Sequence, residues 1–224
     1  MSISFGGNEG LLWTDLLSDT SPPYTITAWC KPSTVAEIGT VAVVYANSNG
    51  NNAYALRVSP TPRVQALTRG FGTIRGEAEN VNTDVVTGAW QHMAAVFPAD
   101  QTRAAFLAGA DKGTDSNTGS VALTPHVGIG YLTFIYGVSG LVAEVAIWNT
   151  VLSDQDIAFL ATGVLPETVS SSNLVFLCTG RESLTAEVGG AATTTLGPPS
   201  WNSDHPTLLT GPSLAVLLSV IDDQ

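Results

Sequence analysis

The sequence predicts an all-β fold, a sandwich or barrel of short strands with one short surface helix. Segments rich in β-branched and aromatic residues recur along the chain, and turn sequences such as Asn49-Gly50 and Thr87-Gly88 separate them. A single segment instead shows a helical pattern. The chain has 224 residues, of which 44% are hydrophobic, so it is long enough to bury the core of one β domain.

Eight segments have the alternation or the composition of β-strands. They are residues 24–31, 40–46, 53–58, 63–68, 90–97, 103–108, 140–148 and 174–178. Trp29, Trp90 and Trp148 fall within them, and we expect their rings to fill the space between sheets. His92 lies in the same strand as Trp90, and we expect a hydrogen-bonded structural histidine there.

Residues 153–163 (SDQDIAFLATG) predict the helix. Ser153 suits the N-cap, because its hydroxyl can accept a hydrogen bond from an otherwise unpaired backbone N–H. Gly163 suits the left-handed residue that ends a helix, and Pro166 prevents its continuation. The residues expected to pack on the sandwich are Ile157, Leu160 and Ala161.

Charged residues make up 12% of the chain, about half the usual share, and the net charge is −11. With two lysines, Lys31 and Lys112, the chain is poorly suited to neutralise phosphates, so we expect neither nucleic-acid nor membrane-surface binding. Interface cores are depleted in charge, which favours a surface partly covered by neighbours. The alternative is a well-buried core beneath a surface rich in Ser, Thr and Asn.

The N-terminus shows no basic segment followed by an apolar stretch, so no secretory signal is visible. No apolar run is long enough to cross a bilayer. We therefore expect synthesis in the cytoplasm. The two cysteines, Cys30 and Cys178, are expected to be buried free thiols, although their spacing leaves a disulfide open.

Several motifs follow one another in a characteristic order. They are Ser4-Phe5-Gly6-Gly7 and residues 24–32 (YTITAWCKP), 88–96 (GAWQHMAAV), 103–109 (RAAFLAG) and 140–157 (GLVAEVAIWNTVLSDQDI). Together they resemble the laminin-G-like, concanavalin A-like (pentraxin-related) jelly-roll family. The resemblance implies a two-sheet antiparallel jelly-roll sandwich over residues 1–206. It implies little about activity, because this fold carries lectins, adhesion modules, glycosidases and virion proteins.

Glycosidases of this fold need two carboxylates on one strand face. The one close pair is Glu77 and Glu79, which we interpret as a solvated strand edge. The family's hydrolases carry a third carboxylate a few residues later, where this chain has Val81-Asn82. No phosphate-binding loop and no Ser/His/Asp motif is evident either, so we expect no enzymatic activity.

The resembled family usually binds calcium through carboxylate and carbonyl oxygens. The candidate ligands are Asn8, Glu9, Asp100, Asp111 and Asp115, the last two in an expected loop at residues 109–117. Many relatives place an Asp where this chain has Ala143. Because of this departure we expect no cofactor, and calcium is the one ion that the resemblance brings into consideration.

Sugar recognition needs exposed aromatic rings with polar groups beside them. The best candidates are Tyr131, Phe134 and Tyr136, in residues 130–137 (GYLTFIYG). The alternative is a strand or loop that packs on the sandwich.

Four arginines recur at equal spacing: Arg57, Arg63, Arg69 and Arg75. Prolines and glycines interrupt the run, so they cannot share one strand. The spacing is either a coincidence or a band that meets an acidic neighbour.

Residues 207–224 form an apolar C-terminal tail. Its octamer, residues 214–221, is too short to cross a membrane and would risk edge-to-edge pairing if it were exposed. It either adds a strand to its own sheet or pairs with a partner by strand addition. The docking residues would be Leu214, Val216, Leu217, Leu218, Val220 and Ile221.

The leading hypothesis is a non-catalytic structural protein of a viral particle, either a capsid decoration protein or another virion surface component. The low charge and the apolar tail favour it, and compact members of the resembled family serve tailed phages in such roles. Its partners would be other virion proteins or copies of itself, in an oligomer or a larger assembly. The alternative is an extracellular or cell-surface carbohydrate-binding adhesin. A glycosidase using Glu77 and Glu79 is the third hypothesis.

Overall fold

The computed structural model describes residues 2–14, 21–46, 52–99, 102–117, 125–130, 136–180, 185–188, 190–191, 194–196 and 200–208. Within them, two antiparallel sheets lie face to face around a shared core, so the predicted sandwich is confirmed. In the described part of the chain, no helix is both long and apolar enough to cross a membrane.

The strands are short, and most of them carry the β-branched and aromatic residues that suit a pleated surface. In chain order they are β1 Ser2–Gly6, β2 Gly10–Trp13, β3 Tyr24–Pro32, β4 Gly39–Ala46, β5 Ala53–Val58, β6 Val64–Gly70, β7 Thr73–Glu79, β8 Gln91–Phe97, β9 Arg103–Leu107, β10 Asp111–Asp115, β11 Pro125–Gly130, β12 Ser139–Trp148, β13 Leu174–Cys178, β14 Thr185–Ala186, β15 Gly190–Ala191, β16 Thr194–Leu196 and β17 Ser200–Asn202. The helix α1 spans Asp154–Ala161, and 3₁₀ turns follow at Pro166–Thr168 and Ser171–Asn173.

The eight-stranded sheet has the order β10-β9-β8-β3-β12-β1-β17, with β13 also paired to β12. Strand β12 is long enough for β1 and β13 to pair with successive halves of the same edge. The seven-stranded sheet has the order β16-β2-β11-β4-β5-β6-β7, and β14 and β15 form a separate small hairpin. A bulge in β12 contains Glu144, whose φ is 52°.

Aromatic rings fill the space between the two sheets. Trp13 meets Phe176 edge-on, with ring centroids 4.9 Å apart. Tyr54 lies between Tyr24 and Phe97, at centroid distances of 5.7 and 5.1 Å. All five rings are buried. Burial of a side chain of this size stabilises the fold by roughly 2 kcal/mol or more, so these rings are a major part of what holds the sheets together.

The expectation that Trp29, Trp90 and Trp148 fill the space between the sheets is wrong. Trp148 is buried on the outer face of the eight-stranded sheet, in a second cluster beneath α1, and its Nε1 donates to the carbonyl of Val169 at 2.9 Å. Trp29 lies on the same outer face, because side chains alternate along a strand and its neighbours Ala28 and Cys30 point into the core. It is half-buried there. Trp90 is half-buried just before β8. Trp13 was not singled out from the sequence.

The predicted helix is confirmed. The Ser153 hydroxyl accepts from the Asp156 backbone N–H at 3.1 Å, and the Asp156 carboxylate accepts from the Ser153 N–H at 3.0 Å, which completes a capping box. Gly163 follows the helix with a φ of 94°. Ile157 and Leu160 are buried against the outer face of the eight-stranded sheet, and Ala161 is half-buried.

All eight predicted strands are present, with ends that differ by at most two residues. Several others were not predicted, among them β10, where we expected a loop around Asp111 and Asp115. Its sequence, DKGTD, carries no apolar side chain because β10 lies at the edge of its sheet. Hydrophobic periodicity cannot identify a strand that has no apolar side chains.

The two thiols and His92 are all buried. Cys30 and Cys178 are free, as predicted, and burial raises the pKa of each thiol to about 12. His92 packs against Trp29 with ring centroids 5.6 Å apart. Its Nδ1 has no hydrogen-bond partner among the described residues, so the predicted hydrogen bond is not made through this nitrogen.

Residues 200–202 form the edge strand β17 of the eight-stranded sheet, and the residues after it contact side chains of β3 and β12 and the Trp90 ring. Asp204 accepts hydrogen bonds from Lys31 Nζ at 2.6 Å and from Trp90 Nε1 at 2.8 Å, and these bonds hold its pKa below the usual range. His205 Nε2 lies 3.2 Å from Glu144 Oε1. Pro206, at the predicted end of the domain, is buried. The division at residue 206 stays a prediction.

Candidate functional site

The outer face of the seven-stranded sheet carries polar side chains on three adjacent strands. Alternation places them there, because Leu56, Ala66 and Ala78 of the same strands point into the core. The outward-facing residues at this end are Arg57 on β5, Gln65, Leu67 and Arg69 on β6, and Glu77 and Glu79 on β7.

Hydrogen bonds join four of these side chains into a row across the strands. Arg57 donates through Nη2 to Glu77 Oε2 at 2.6 Å and through Nε to Gln65 Oε1. Gln65 Nε2 donates to Glu77 Oε1 at 2.8 Å and also to Glu79 Oε1. Arg57 is 8% exposed, and this burial lowers its pKa, an effect that Glu77 partly offsets. The row is therefore fixed in place by partners on both sides.

Tyr136 stands beside this row. Its backbone is tied to β4, since Thr40 donates to the Tyr136 carbonyl at 2.8 Å and Val138 donates to the Thr40 carbonyl at 3.0 Å. The next residue, Gly137, donates to the carbonyl of Gly7 at 3.2 Å. The side chain is nevertheless 66% exposed. Ordered backbone under an open ring is what a stacking platform requires, because little entropy is lost on binding.

Two cavities adjoin at Tyr136. The first, of about 290 Å³, is the arginine cleft, lined by Ile38, Arg57, Leu67, Arg69, Gly72, Ile74 and Tyr136. The second, of about 300 Å³, is the polar cleft, lined by Gly6, Gly7, Asn8, Thr34, Glu37, Ile38, Gly39, Val58, Tyr136, Gly137, Val138 and Ser139. Because they share Ile38 and Tyr136, we treat them as one groove, the Tyr136 groove.

The chemistry of the Tyr136 groove suits a polyhydroxylated ligand. An aromatic face stacks on the C–H face of a sugar ring, and side chains that both donate and accept can bind its hydroxyls. Asn8, Thr34 and Ser139 provide such groups on one side of the ring, and the Glu37 carboxylate adds an acceptor. Arg57 and Arg69 provide donors on the other side.

Of the three predicted ligand-binding aromatics, the structure places Tyr136 at a groove. Tyr131 and Phe134 lie outside the described residues. The predicted docking residues of the tail, Leu214, Val216, Leu217, Leu218, Val220 and Ile221, lie outside them as well. Those assignments stay predictions.

The predicted calcium ligands either make other contacts or lie outside the described residues. Glu9 accepts through Oε2 from the Gly6 backbone N–H at 2.7 Å, and Asn8 lines the polar cleft. Asp100 lies outside the described residues. Asp115 accepts from Arg103 Nη1 at 3.0 Å and from the Glu77 N–H at 3.1 Å.

Asp111 acts as an acceptor for a turn. Its carboxylate accepts from the backbone N–H groups of residues 81–83 and from Asn80 Nδ2 at 2.8 Å. Desolvation alone would raise its pKa, but these hydrogen bonds outweigh it and hold the pKa well below the usual range. Among the described residues, no three His, Cys, Asp or Glu side chains gather as a metal site would require.

Glu77 and Glu79 do share one face of β7, as their spacing predicts, but they do not flank an open space. Both accept from the same atom, Gln65 Nε2. A glycosidase pair needs a sugar between its carboxyl groups, which are about 5–9.5 Å apart. One amide nitrogen between them leaves no room for it. This pair therefore has the geometry of a structural network.

The four regularly spaced arginines do not form one band. Arg57 and Arg69 line the arginine cleft. Arg63 pairs with Asp84 at 3.1 Å, and Arg75 lies over the ring of Phe71 at 5.8 Å. The pairing of β5 with β6 places Arg57 opposite Gln65 and Arg69 opposite Ala53, so the two arginines share one face of the sheet four positions apart.

A further cleft, of about 360 Å³, lies over the outer face of the eight-stranded sheet beside α1. Its cations already have partners: Lys112 Nζ lies 2.8 Å from Asp154 Oδ1, and Arg103 pairs with Asp115. Lys112 also covers the ring of Phe106, at 5.2 Å. The cleft beside α1 is therefore a weaker candidate ligand site than the Tyr136 groove.

Comparison with known proteins gives a family match. The model of the concanavalin A-like lectin/glucanases superfamily matches residues 5–158. No curated protein sequence matches the chain.

Solved structures resemble the fold at low sequence identity. A heptameric SAP-like pentraxin from Limulus polyphemus has a TM-score of 0.56 at 18% identity, over 71% of this chain and 81% of its own. Domain 4 of an extracellular arabinanase from Geobacillus stearothermophilus, in complex with arabinotriose, also gives 0.56 at 18%, over 71% and 76%. The enzymatically active domain of bacteriophage CBA120 tailspike protein 2 gives 0.53 at 15%, over 79% of this chain and 29% of its own. At these identities the likeness concerns the fold.

Proposed function

This chain belongs to the concanavalin A-like lectin/glucanases superfamily, and from that premise we propose that it is a non-catalytic carbohydrate-binding module. Its site is the Tyr136 groove. The observation that carries the proposal is an open tyrosine ring held between two clefts, with hydroxyl-binding side chains on either side. The similar arabinanase domain, solved with a bound trisaccharide, supports the same class of ligand.

The variant Tyr136→Ala tests this proposal. Stacking of a sugar on an aromatic ring is a principal affinity term, so we expect loss of binding by roughly tenfold or more. A glycan array identifies the ligand, and calorimetry measures its dissociation constant with each variant. Tyr136→Phe keeps the ring and should retain most of the affinity.

Phe71→Ala is the matched control. Phe71 is 79% exposed, yet it lines neither cleft, so its removal should leave sugar binding unchanged. A glycan array without a single hit, or equal losses in the Tyr136 and Phe71 variants, would contradict the proposal.

A second candidate function, compatible with the first, is a structural role in a viral particle as a capsid decoration or other surface component. The sequence supports it through its low share of charged residues, 12%, and through the uncharged apolar octamer at residues 214–221. The mechanism would be burial of apolar surface between neighbouring subunits, without turnover.

Deletion of residues 211–224 separates the two functions. It should abolish assembly onto particles and leave sugar binding intact, since no described residue of the groove lies in that segment. The measurement is the stoichiometry of full-length and shortened protein in purified particles. Full assembly of the shortened protein would exclude the tail as the anchor.

A further inference from the structure

Apolar side chains form much of the wall of the arginine cleft. Besides the two arginines and Gly72, its described lining residues are Ile38, Leu67, Ile74 and Tyr136. Ile74 is 58% exposed, so a ligand can reach it. Leu67 also belongs to an apolar cluster on the same face of the sheet, with Val43, Tyr45, Ala53 and Ala55. This wall favours an apolar group of the ligand, because a hydroxyl placed against it would lose water without gaining a partner there.

The charge of Arg57 is offset within the protein, so the cleft does not require an acidic ligand. Burial lowers the pKa of Arg57, and the carboxylates of Glu77 and Glu79 counteract this effect. Among the described residues, Arg57 donates to Gln65 and to Glu77. A guanidinium carries five N–H donors, and these two bonds do not use them all. Arg57 therefore suits a neutral acceptor, such as a carbonyl oxygen.

Resting on the proposed function, we infer that the arginine cleft binds an acetyl group of the sugar, carried as an acetamide or as an acetate ester. An acetyl group joins a methyl group to a carbonyl oxygen, which are the two features that the cleft matches. The methyl group packs on Ile38 and Ile74, and the carbonyl oxygen accepts a hydrogen bond from the Arg57 guanidinium.

The position of Tyr136 sets the orientation of such a ligand. Tyr136 lines both clefts, so a ring stacked on it has one edge toward each of them. The edge that carries the acetyl group faces Ile74, and the hydroxyl-rich edge faces Asn8 and Ser139. Burial of one methyl group and formation of one hydrogen bond together correspond to roughly tenfold in affinity. The acetyl group is thus a determinant of specificity, added to the stacking on Tyr136.

Three pairs of oligosaccharides that differ in acetyl groups test the inference: N-acetyllactosamine with lactose, N,N′,N″-triacetylchitotriose with cellotriose, and acetylated xylotriose with xylotriose. The first two pairs carry the acetyl group as an amide and the third as an ester, which distinguishes the two sources. A glycan-array hit outside these pairs is measured beside its counterpart that differs in acetylation. Calorimetry should show the acetylated member of a binding pair to be roughly tenfold tighter. This ratio should not depend on ionic strength, because the acetyl group is uncharged.

Two substitutions of Ile74 test the apolar wall. Ile74→Ser replaces an exposed aliphatic side chain with a small polar one and should lower the affinity ratio to about twofold or less. Ile74→Leu keeps the aliphatic volume and should keep most of the ratio. Val81→Ser is the matched control, since Val81 is 60% exposed and is not among the described residues that line either cleft. It should leave the ratio unchanged, and thermal unfolding should show all three variants folded.

Equal binding of acetylated and unacetylated members would overturn the inference while the groove remained a sugar site. An equal fall of the ratio in Ile74→Ser and Val81→Ser would overturn it as well. Failure of every probe and every array glycan to bind would overturn the proposed function, and this inference with it.

Discussion

At the scale of single residues, His92 has the clearest consequence for stability. It is 3% exposed, and desolvation lowers its pKa from 6.5 to about 3. The folded protein therefore keeps the imidazole neutral while the unfolded chain takes up a proton below pH 6.5. Protonation stabilises the unfolded state. The free energy of unfolding therefore decreases as the pH drops from 6.5 toward about 4, by up to a few kcal/mol.

We expect His92→Phe to flatten this dependence, because the new side chain packs against Trp29 and cannot titrate. The measurement is the urea midpoint of both proteins at several pH values between 4 and 7.5. Parallel curves for the two proteins would show that His92 does not control the slope.

Single residues also show how far the sequence predicts the site. Tyr136 could be named in advance, because an aromatic in a Gly-bounded loop segment is a common ligand contact. The link between Arg57 and Glu77 could not, since it depends on the register of two strand pairs, β5 with β6 and β6 with β7. A one-residue shift in either pair would place these side chains on opposite faces.

At the scale of elements, the capping box of α1 predicts a measurable loss on mutation. Ser153→Ala removes the hydroxyl that accepts from the Asp156 N–H, and the unpaired donor should cost about 1 kcal/mol. Equilibrium unfolding in urea measures it. Ser153→Asp keeps a capping oxygen and should cost much less.

If the alanine and aspartate variants lost equal stability, capping would not be the cause. Sugar binding should be unaffected in both, because no described residue that lines the Tyr136 groove belongs to α1 or to the cluster that α1 packs against.

The sequence predicts the positions of the helix and the long strands, but it does not predict which face of a strand is covered. The helix and the long strands were identified because their apolar residues follow one period, as in β12 and α1. The tryptophans of β3 and β12 were placed on the wrong face. Sequence alternation fixes which residues share a face, but it does not say which face another element will cover. Here α1 covers the second face and buries Trp148 there.

At the scale of the whole molecule, a buried ion pair joins the two sheets at one side of the sandwich. Arg103 of β9 is 2% exposed and donates to Asp115 of β10 at 3.0 Å. Asp115 in turn accepts from the Glu77 backbone N–H of β7, in the other sheet, at 3.1 Å. Glu77 belongs to the polar row behind the arginine cleft. Packing at this edge is therefore connected to the geometry of the groove.

Gly76 makes this approach of the sheets feasible. A Cβ at this position would overlap the Arg103 guanidinium, and Gly113 likewise faces the Glu79 carbonyl without room for a side chain. No sequence pattern reveals this, because Gly76 and Arg103 lie in different sheets. Alanine normally stabilises an extended strand relative to glycine, so the local backbone preference predicts that alanine at position 76 raises the stability of the fold. The packing against Arg103 predicts that it lowers the stability.

We expect Gly76→Ala to destabilise the protein by roughly 3 kcal/mol, since Arg103 cannot move away without breaking a buried pair. It should also weaken sugar binding, because Glu77 would shift and take Arg57 with it. Gly6→Ala is the control for stability, as its Cβ would meet Glu9 at an ordinary 3.4 Å. In a double-mutant cycle measured by urea unfolding, Arg103→Met should relieve much of the Gly76→Ala loss. Strictly additive losses would show that the arginine is not what the new methyl group displaces.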